Sequence, residues 1–161
     1  MVGRRCVSVL SGVDMLIRRK DGTQFTNAGS SWDFSEKDLR EADFHGIYVE
    51  GGNLSDCDLR GVDFGGAHLY GTYLYRANCS ECNFAGSLLQ GVVLDEVNLS
   101  DVNFVNARLI VDNMGTPCSL GGADLRSANL EDTILTGCKY DSTTLFPKGF
   151  DPESRGMVRD A

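Results

Sequence analysis

The sequence predicts a coil that turns a corner every five residues, and three regularities lead to that expectation. Leu or Phe returns at most fifth positions from Phe34 through Leu39, Phe44, Leu54, Leu59, Phe64, Leu69 and Leu74 to Leu109, with Val49, Cys79 and Met114 keeping the beat in their turn. The residue two before such a centre is small or β-branched, as at Ala42, Cys57, Val62, Ala67, Thr72, Ala77 and Val92. The residue one before it is polar, most often Asp or Asn, as at Asp38, Asp43, Asn53, Asp58, Asp63, Asn78, Asn83, Asn98 and Asn103. A helix repeats its apolar residues near 3.6 and a strand near 2, so a period of five fits neither. The chain must bend at every unit, with its centres and small residues inside.

Taken in order, residues 1–31 form an N-terminal cap segment. Val13-Asp14-Met15-Leu16-Ile17 and Gln24-Phe25-Thr26 are expected strands around the turn Lys20-Asp21-Gly22. Trp32 then covers the first coil. Arg4, Arg5, Arg18, Arg19 and Lys20 flank Val7-Ser8-Val9-Leu10, which loosely resembles a targeting segment. Asp14 interrupts its apolar part and no small-residue cleavage site follows, so a mature cytoplasmic N-terminus is expected. Residues 32–142 are the repeat body, with Gly46, Gly61, Gly66, Gly71, Gly86 and Gly91 marking corners two residues after a centre. After Gly115-Thr116-Pro117 the frame slips by one residue and resumes at Leu120, Leu125, Leu130, Leu135 and Tyr140. Gly and Pro are the expected punctuation for a small corner bulge there. Residues 143–161 close the rod, with Leu145, Phe146 and Phe150 over the last coil and Glu153 to Ala161 frayed.

Ala123-Asp124-Leu125-Arg126-Ser127 and Ala128-Asn129-Leu130-Glu131-Asp132 resemble, twice in succession, the A(D/N)LXX unit of the pentapeptide-repeat family. The likeness extends over residues 32–142. Phe146-Pro147-Lys148-Gly149-Phe150-Asp151-Pro152 is similar to the FPxGFDP tail of cyanobacterial and plastid members. The resemblance implies an all-β fold, a right-handed quadrilateral β-helix of about five to six coils with short caps, four units making one square coil. Phe44, Phe64, Phe84 and Phe104 recur at steps of twenty and agree with it, because they would stack on one face. In such a solenoid each coil packs only on its neighbours, and the ends need caps.

Charge narrows the choice of partner. The net charge is −8: residues 1–32 carry +3, residues 33–142 carry −11 and the tail is neutral. The body therefore repels nucleic-acid backbones and membrane phosphates, and neither direct nucleic-acid binding nor membrane binding is expected. No apolar run approaches the ~18 residues that span a bilayer.

Residues capable of chemistry are few. His45 and His68 flank centres and should project outward on different faces, as solvated residues. Cys79-Ser80-Glu81-Cys82 has CxxC spacing, but no second pair completes a four-ligand zinc site. Cys57, Cys79, Cys82, Cys118 and Cys138 all stand at inward positions, where a free thiol acts as a small hydrophobe. Cys118 and Cys138, twenty apart, would stack in adjacent coils; disulfides would point instead to a thylakoid lumen or periplasm. No phosphate loop is present. No catalytic residue, cofactor or metal is expected.

Surface patterning is the remaining lead. On two adjoining faces the outward positions hold Tyr48, Tyr73, Leu88, Val93 and Ile134 before centres, and Tyr70, Tyr75 and Ile110 after them. An apolar and aromatic band of that kind marks a partner or self-association surface; alternatively, such residues strengthen β pairing between coils. The leading expectation is a non-enzymatic interaction or scaffold module that binds another protein or itself. The alternative, from the resemblance, is a duplex-mimicking regulator of DNA gyrase, although no long loop interrupts the coils and the C-terminal cap holds no evident dimer-forming helix.

Overall fold

The computed structural model describes residues 16–22, 24–26 and 32–160. Its strands are β1 (Leu16–Arg19), β2 (Gln24–Thr26), β3 (Ala42–Asp43), β4 (Tyr48–Glu50), β5 (His68–Tyr70), β6 (Leu88–Gln90), β7 (Arg108–Ile110), β8 (Lys139–Tyr140) and β9 (Val158–Arg159). Strands β4, β5, β6 and β7 pair in parallel, each twenty residues after the last. Single bridges repeat the same step elsewhere, as in Asp38–Asp58–Asn78–Asn98 and Asp63–Asn83–Asn103. Four centres thus complete one coil. The first face stacks Phe34, Leu54, Leu74 and Leu94; the second Leu39, Leu59, Cys79 and Leu99; the third Phe44, Phe64, Phe84 and Phe104; the fourth Val49, Leu69, Leu89 and Leu109. All are buried. On the third face the rings lie 4.7, 4.6 and 5.2 Å apart, an offset ladder through the core.

The five-residue unit has a hydrogen-bond explanation. On the first three faces the N–H of the small residue returns to the carbonyl of the preceding centre, as Ala42 to Leu39 at 2.8 Å and Ala77 to Leu74 at 2.9 Å. The residue between them at the corner mostly has positive φ, as at Gly61 (67°) and Gly86 (65°). A four-residue turn with a left-handed third residue closes most of these corners, and the residue before the centre completes the five. Asp or Asn at that remaining position accepts the N–H just past the centre: Asp58 takes Arg60 N, Asn78 takes Ser80 N and Asn103 takes Val105 N. Asn adds a donor along the stack, as from Asn83 to Asp63 and from Asn103 to Asn83.

The slip differs from the expectation of one extra residue. Leu94 N bonds Ser119 O at 2.8 Å, and Val93, Asn98 and Asn103 bridge to Ser119, Asp124 and Asn129. That coil is therefore six residues longer than its neighbours. The chain leaves at Val111 and re-enters at Cys118, so Asp112–Pro117 stands outside. Leu120, not Met114, seats on Leu94, and Met114 is 84% exposed. After the insertion every unit lies one face away from where a single-residue slip would put it. Leu130 continues the Phe column, and Ile134 joins Tyr48, His68, Leu88 and Arg108.

The ends also revise expectations. β1 pairs antiparallel with β2 and with β3, while Val13, Asp14 and Met15 lie outside the described residues, as do Cys6, Arg4 and Arg5. Trp32 is buried against Phe34 at 5.9 Å. Phe146 and Phe150 pack on the core, but Leu145 faces outward because it takes the polar slot before Phe146. The segment expected to fray is instead a cap. Met157 is buried, β9 pairs parallel with β8, and Asp160 N bonds Tyr140 O at 2.7 Å.

Candidate interaction surface

The Asp/Asn ladder covers the second and third faces, so their outer sides are polar. On the fourth face its position is held by Tyr48, His68, Leu88, Arg108 and Ile134; on the first face the ladder begins with Asp33 and Asn53, gives way to Tyr73 and Val93, and is followed by Ser119 and Lys139. β-branched and aromatic side chains favour extended, paired backbone, and the fourth face forms the longest strand ladder of the coil. Tyr48 and Tyr73 are half exposed and Ile134 is 42% exposed. Leu88, Val93, Ile110, Tyr70 and Tyr75 are half-buried. The column on the fourth face alternates in character, with His68 5.9 Å from the Tyr48 ring and Arg108 between Leu88 and Ile134.

Two of the tyrosines are held by polar partners. Tyr75 donates its hydroxyl to Glu96 Oε1 at 3.1 Å and lies under the Arg76 guanidinium, 5.6 Å from the ring centre. Tyr70 donates to Asn113 Oδ1 of the inserted segment. Burial, with the charges of Asp112 and Glu50, pushes the Tyr70 phenol up.

The insertion is a strap lying along the corner between the fourth and first faces. Asp112 accepts Met114 N at 2.8 Å and Thr116 N at 2.7 Å, while its own N–H reaches Thr116 O at 2.8 Å. Desolvation opposes ionisation of Asp112, but these N–H donors hold its carboxyl below the ordinary range. The strap turns back over two coils to reach Tyr70. It passes so close to Gly91 that a Cβ there would stand 3.1 Å from Asp112 Oδ2. Met114 forms its tip, and Val111 at its foot is also exposed. Asp112 was the missed signal. From Ala42 onward it is the one charged residue in the slot that otherwise points inward, so its unit cannot belong to the coil.

The cysteines serve the interior. Cys57, Cys82, Cys118 and Cys138 donate S–H bonds to Phe34 O, Leu59 O, Leu89 O and Leu109 O at 2.9 to 3.1 Å. Thr133 and Thr144 do the same from equivalent slots, to Phe104 O and Leu120 O. Burial pushes the Cys57 thiol up to about 11, and the Cys82 thiol together with burial carries Cys79 well above its ordinary value. A protonated, enclosed thiol is a poor nucleophile and a poor metal ligand. Among the described residues no group of His, Cys, Asp and Glu could hold a metal ion. His45 and His68 are exposed on different faces, and His45 has an ordered partner, with Nδ1 3.0 Å from Asp63 Oδ2.

The profile described as "Pentapeptide repeats" matches the chain in eight copies over residues 38–76, 77–110 and 118–139, leaving the strap unmatched. No curated protein matches the chain. Among solved structures, it is similar to the pentapeptide repeat protein Rfr23 of the cyanobacterium Cyanothece 51142, with 30% identity and a TM-score of 0.56. The match covers 62% of this chain and 63% of that one. QnrB1, a plasmid-mediated fluoroquinolone resistance protein, shares the fold at 18% identity and TM-score 0.52, over 80% of this chain and 67% of its own. A pentapeptide repeat protein of Nostoc Pcc 7120 is 25% identical over 81% of this chain and 86% of its own, with TM-score 0.43. The family match and the likeness to Rfr23 give the coil its hand, a right-handed β-helix. Since the repeat signature spans more than half of the sequence, and its interruption falls where the strap leaves the coil, the chain belongs to the pentapeptide-repeat family.

Proposed function

We propose that the chain is a non-enzymatic protein-interaction module that engages another protein through its fourth and first faces and the corner between them. The carrying observation is the exposure of Tyr48, Tyr73 and Ile134 where the Asp/Asn ladder is missing, because these side chains give up polar capping without gaining burial. Tyr is favoured at interface hot spots for its large, rigid and amphipathic area. A filled interior supports the same reading, since small-substrate sites are concave. Residues 32–142 are the binding body between the two caps, and the tail around Phe146 and Phe150 aligns the protein with cyanobacterial and plastid members. Among the described residues, five unpaired, buried thiols favour a cytoplasmic location over the thylakoid lumen or periplasm.

Tyr70 and Tyr75 support local structure, so the test substitutes Tyr48, Tyr73 and Ile134 together by Ser. Affinity capture with quantitative mass spectrometry should show loss of a specific set of partners while the unfolding midpoint stays unchanged. Undiminished recovery of the same partners would overturn the reading. A second reading, a duplex-mimicking regulator of DNA gyrase, draws support from the −11 charge of residues 33–142. It requires inhibition of supercoiling by purified gyrase without binding of the protein to DNA. Full supercoiling activity at saturating protein removes it.

A further inference from the structure

Sulfur is abundant in this chain, and the fold divides it unequally between reach and burial. The five described cysteines are buried, and four of them donate into backbone carbonyls. Met157 is 5% exposed beneath the C-terminal cap. Met114 alone among these sulfurs stands in water, at the tip of the strap. Oxidation of cysteine follows thiolate character and access, and that of methionine follows access. The many cysteines would suggest thiol chemistry, yet the geometry points elsewhere. We propose that Met114 is the oxidant-reactive sulfur of the coil, a modification site for two-electron oxidants of the hydrogen peroxide class.

In the reaction a lone pair of the thioether sulfur attacks one peroxide oxygen. The S–O bond forms as the O–O bond breaks, sulfur is oxidised by two electrons, and the second oxygen takes the transferred proton and leaves as water. The sulfoxide is polar where the thioether was apolar, and it can be reduced enzymatically. The strap need not rearrange. Asp112 holds the N–H groups of Met114 and Thr116, and Asn113 holds Tyr70, through atoms that the oxidation does not touch. The change therefore alters the polarity of a fixed point beside the fourth and first faces. Any effect on partner binding rests on the function proposed above; the chemistry does not.

Peptide mapping of the full chain after graded exposure to hydrogen peroxide tests the site directly. Met114 sulfoxide should form at least about tenfold faster than oxidation of Met157 or of the five described thiols, which must wait for local opening. The two methionine sulfoxide reductases together, one for each sulfoxide epimer, should restore the original mass. Met114→Leu should abolish the fast phase, and the oxidised protein should unfold at the same temperature as the untreated one. Comparable early oxidation of Met157 or any described thiol, Cys118 at the foot of the strap above all, would overturn the assignment. So would a fall in unfolding temperature that tracks Met114 oxidation. Because no outcome involves a partner, failure here is distinct from failure of the interaction reading.

Discussion

At most corners one residue adopts left-handed backbone, Glu41 and Ser127 being exceptions. Gly takes that place without strain, whereas Glu36, Glu81 and Glu96 hold it at φ near 60° at a cost of roughly 1–2 kcal/mol each. Two glycines separate the backbone requirement from a packing one. Gly51 (φ 66°) has open space where a Cβ would lie, but Gly91 (φ 61°) faces Asp112. Gly51→Ala should therefore cost about 1–2 kcal/mol. Gly91→Ala should cost more and also speed amide exchange in the strap, measured by denaturant unfolding and hydrogen exchange. A pH dependence belongs to Asp141, which accepts Thr143 Oγ1 and the N–H groups of Thr143, Gly122 and Thr144. The Thr143 hydroxyl is the largest influence holding its carboxyl at about 2, below the ordinary 3.8. The folded carboxyl thus binds its proton more weakly than the unfolded one. Its contribution is complete above the ordinary value and lost as pH falls from there towards about 2. Unfolding midpoints should drop across that window, and Asp141→Asn should flatten the drop.

Among the elements, the aromatic ladder and the strap behave oppositely. Phe84 is fully buried between Phe64 and Phe104, so Phe84→Ala removes contacts on both sides and should cost about 3–5 kcal/mol. Phe84→Leu, which matches the centres on other faces, should cost much less, and urea titrations of the two variants test the contrast. The strap can be removed whole. Joining Val111 to Cys118 restores corner, small residue, polar residue and centre in the family order, with Cys118 already in an inward slot. Deletion of residues 112–117 should leave a folded protein whose circular dichroism matches the parent and whose cooperative unfolding persists. Loss of cooperative unfolding would show that the strap holds the coil together.

Taken whole, the molecule is a stack with neighbour-to-neighbour stability, closed at one end by β1 and β2 and at the other by β9 and Met157. Its body carries excess carboxylate, of which Asp38, Asp58 and Asp124 are paired with Arg40, Arg60 and Arg126 at 2.5 to 2.8 Å. Exposed pairs of this kind contribute little, whereas self-repulsion of the surplus acts over the whole rod. Raising the salt concentration from millimolar to molar should therefore increase the unfolding midpoint. A decrease would mean that the Arg–Asp pairs outweigh the repulsion.

The fivefold period determined the inward columns and the Phe stack, because alternation between buried and exposed positions is a local property of each unit. The Asp/Asn slot was legible for the same reason, since its side chain bonds a backbone N–H only two residues away. The strap was not legible as a strap, because Asn113-Met114 imitates the polar–centre pair and only Asp112 betrays it. Which residues stack across the coils after Val111 depends on where the chain re-enters, which is settled by pairing with the coil beneath. The cap at Val158–Arg159 likewise depends on the open edge at Lys139–Tyr140, a partner nearly twenty residues away that no local pattern names. The candidate surface divides along the same line: apolar identity belongs to the sequence, while the half-exposure of Tyr48 and the latching of Tyr70 follow from neighbours brought together by the coil.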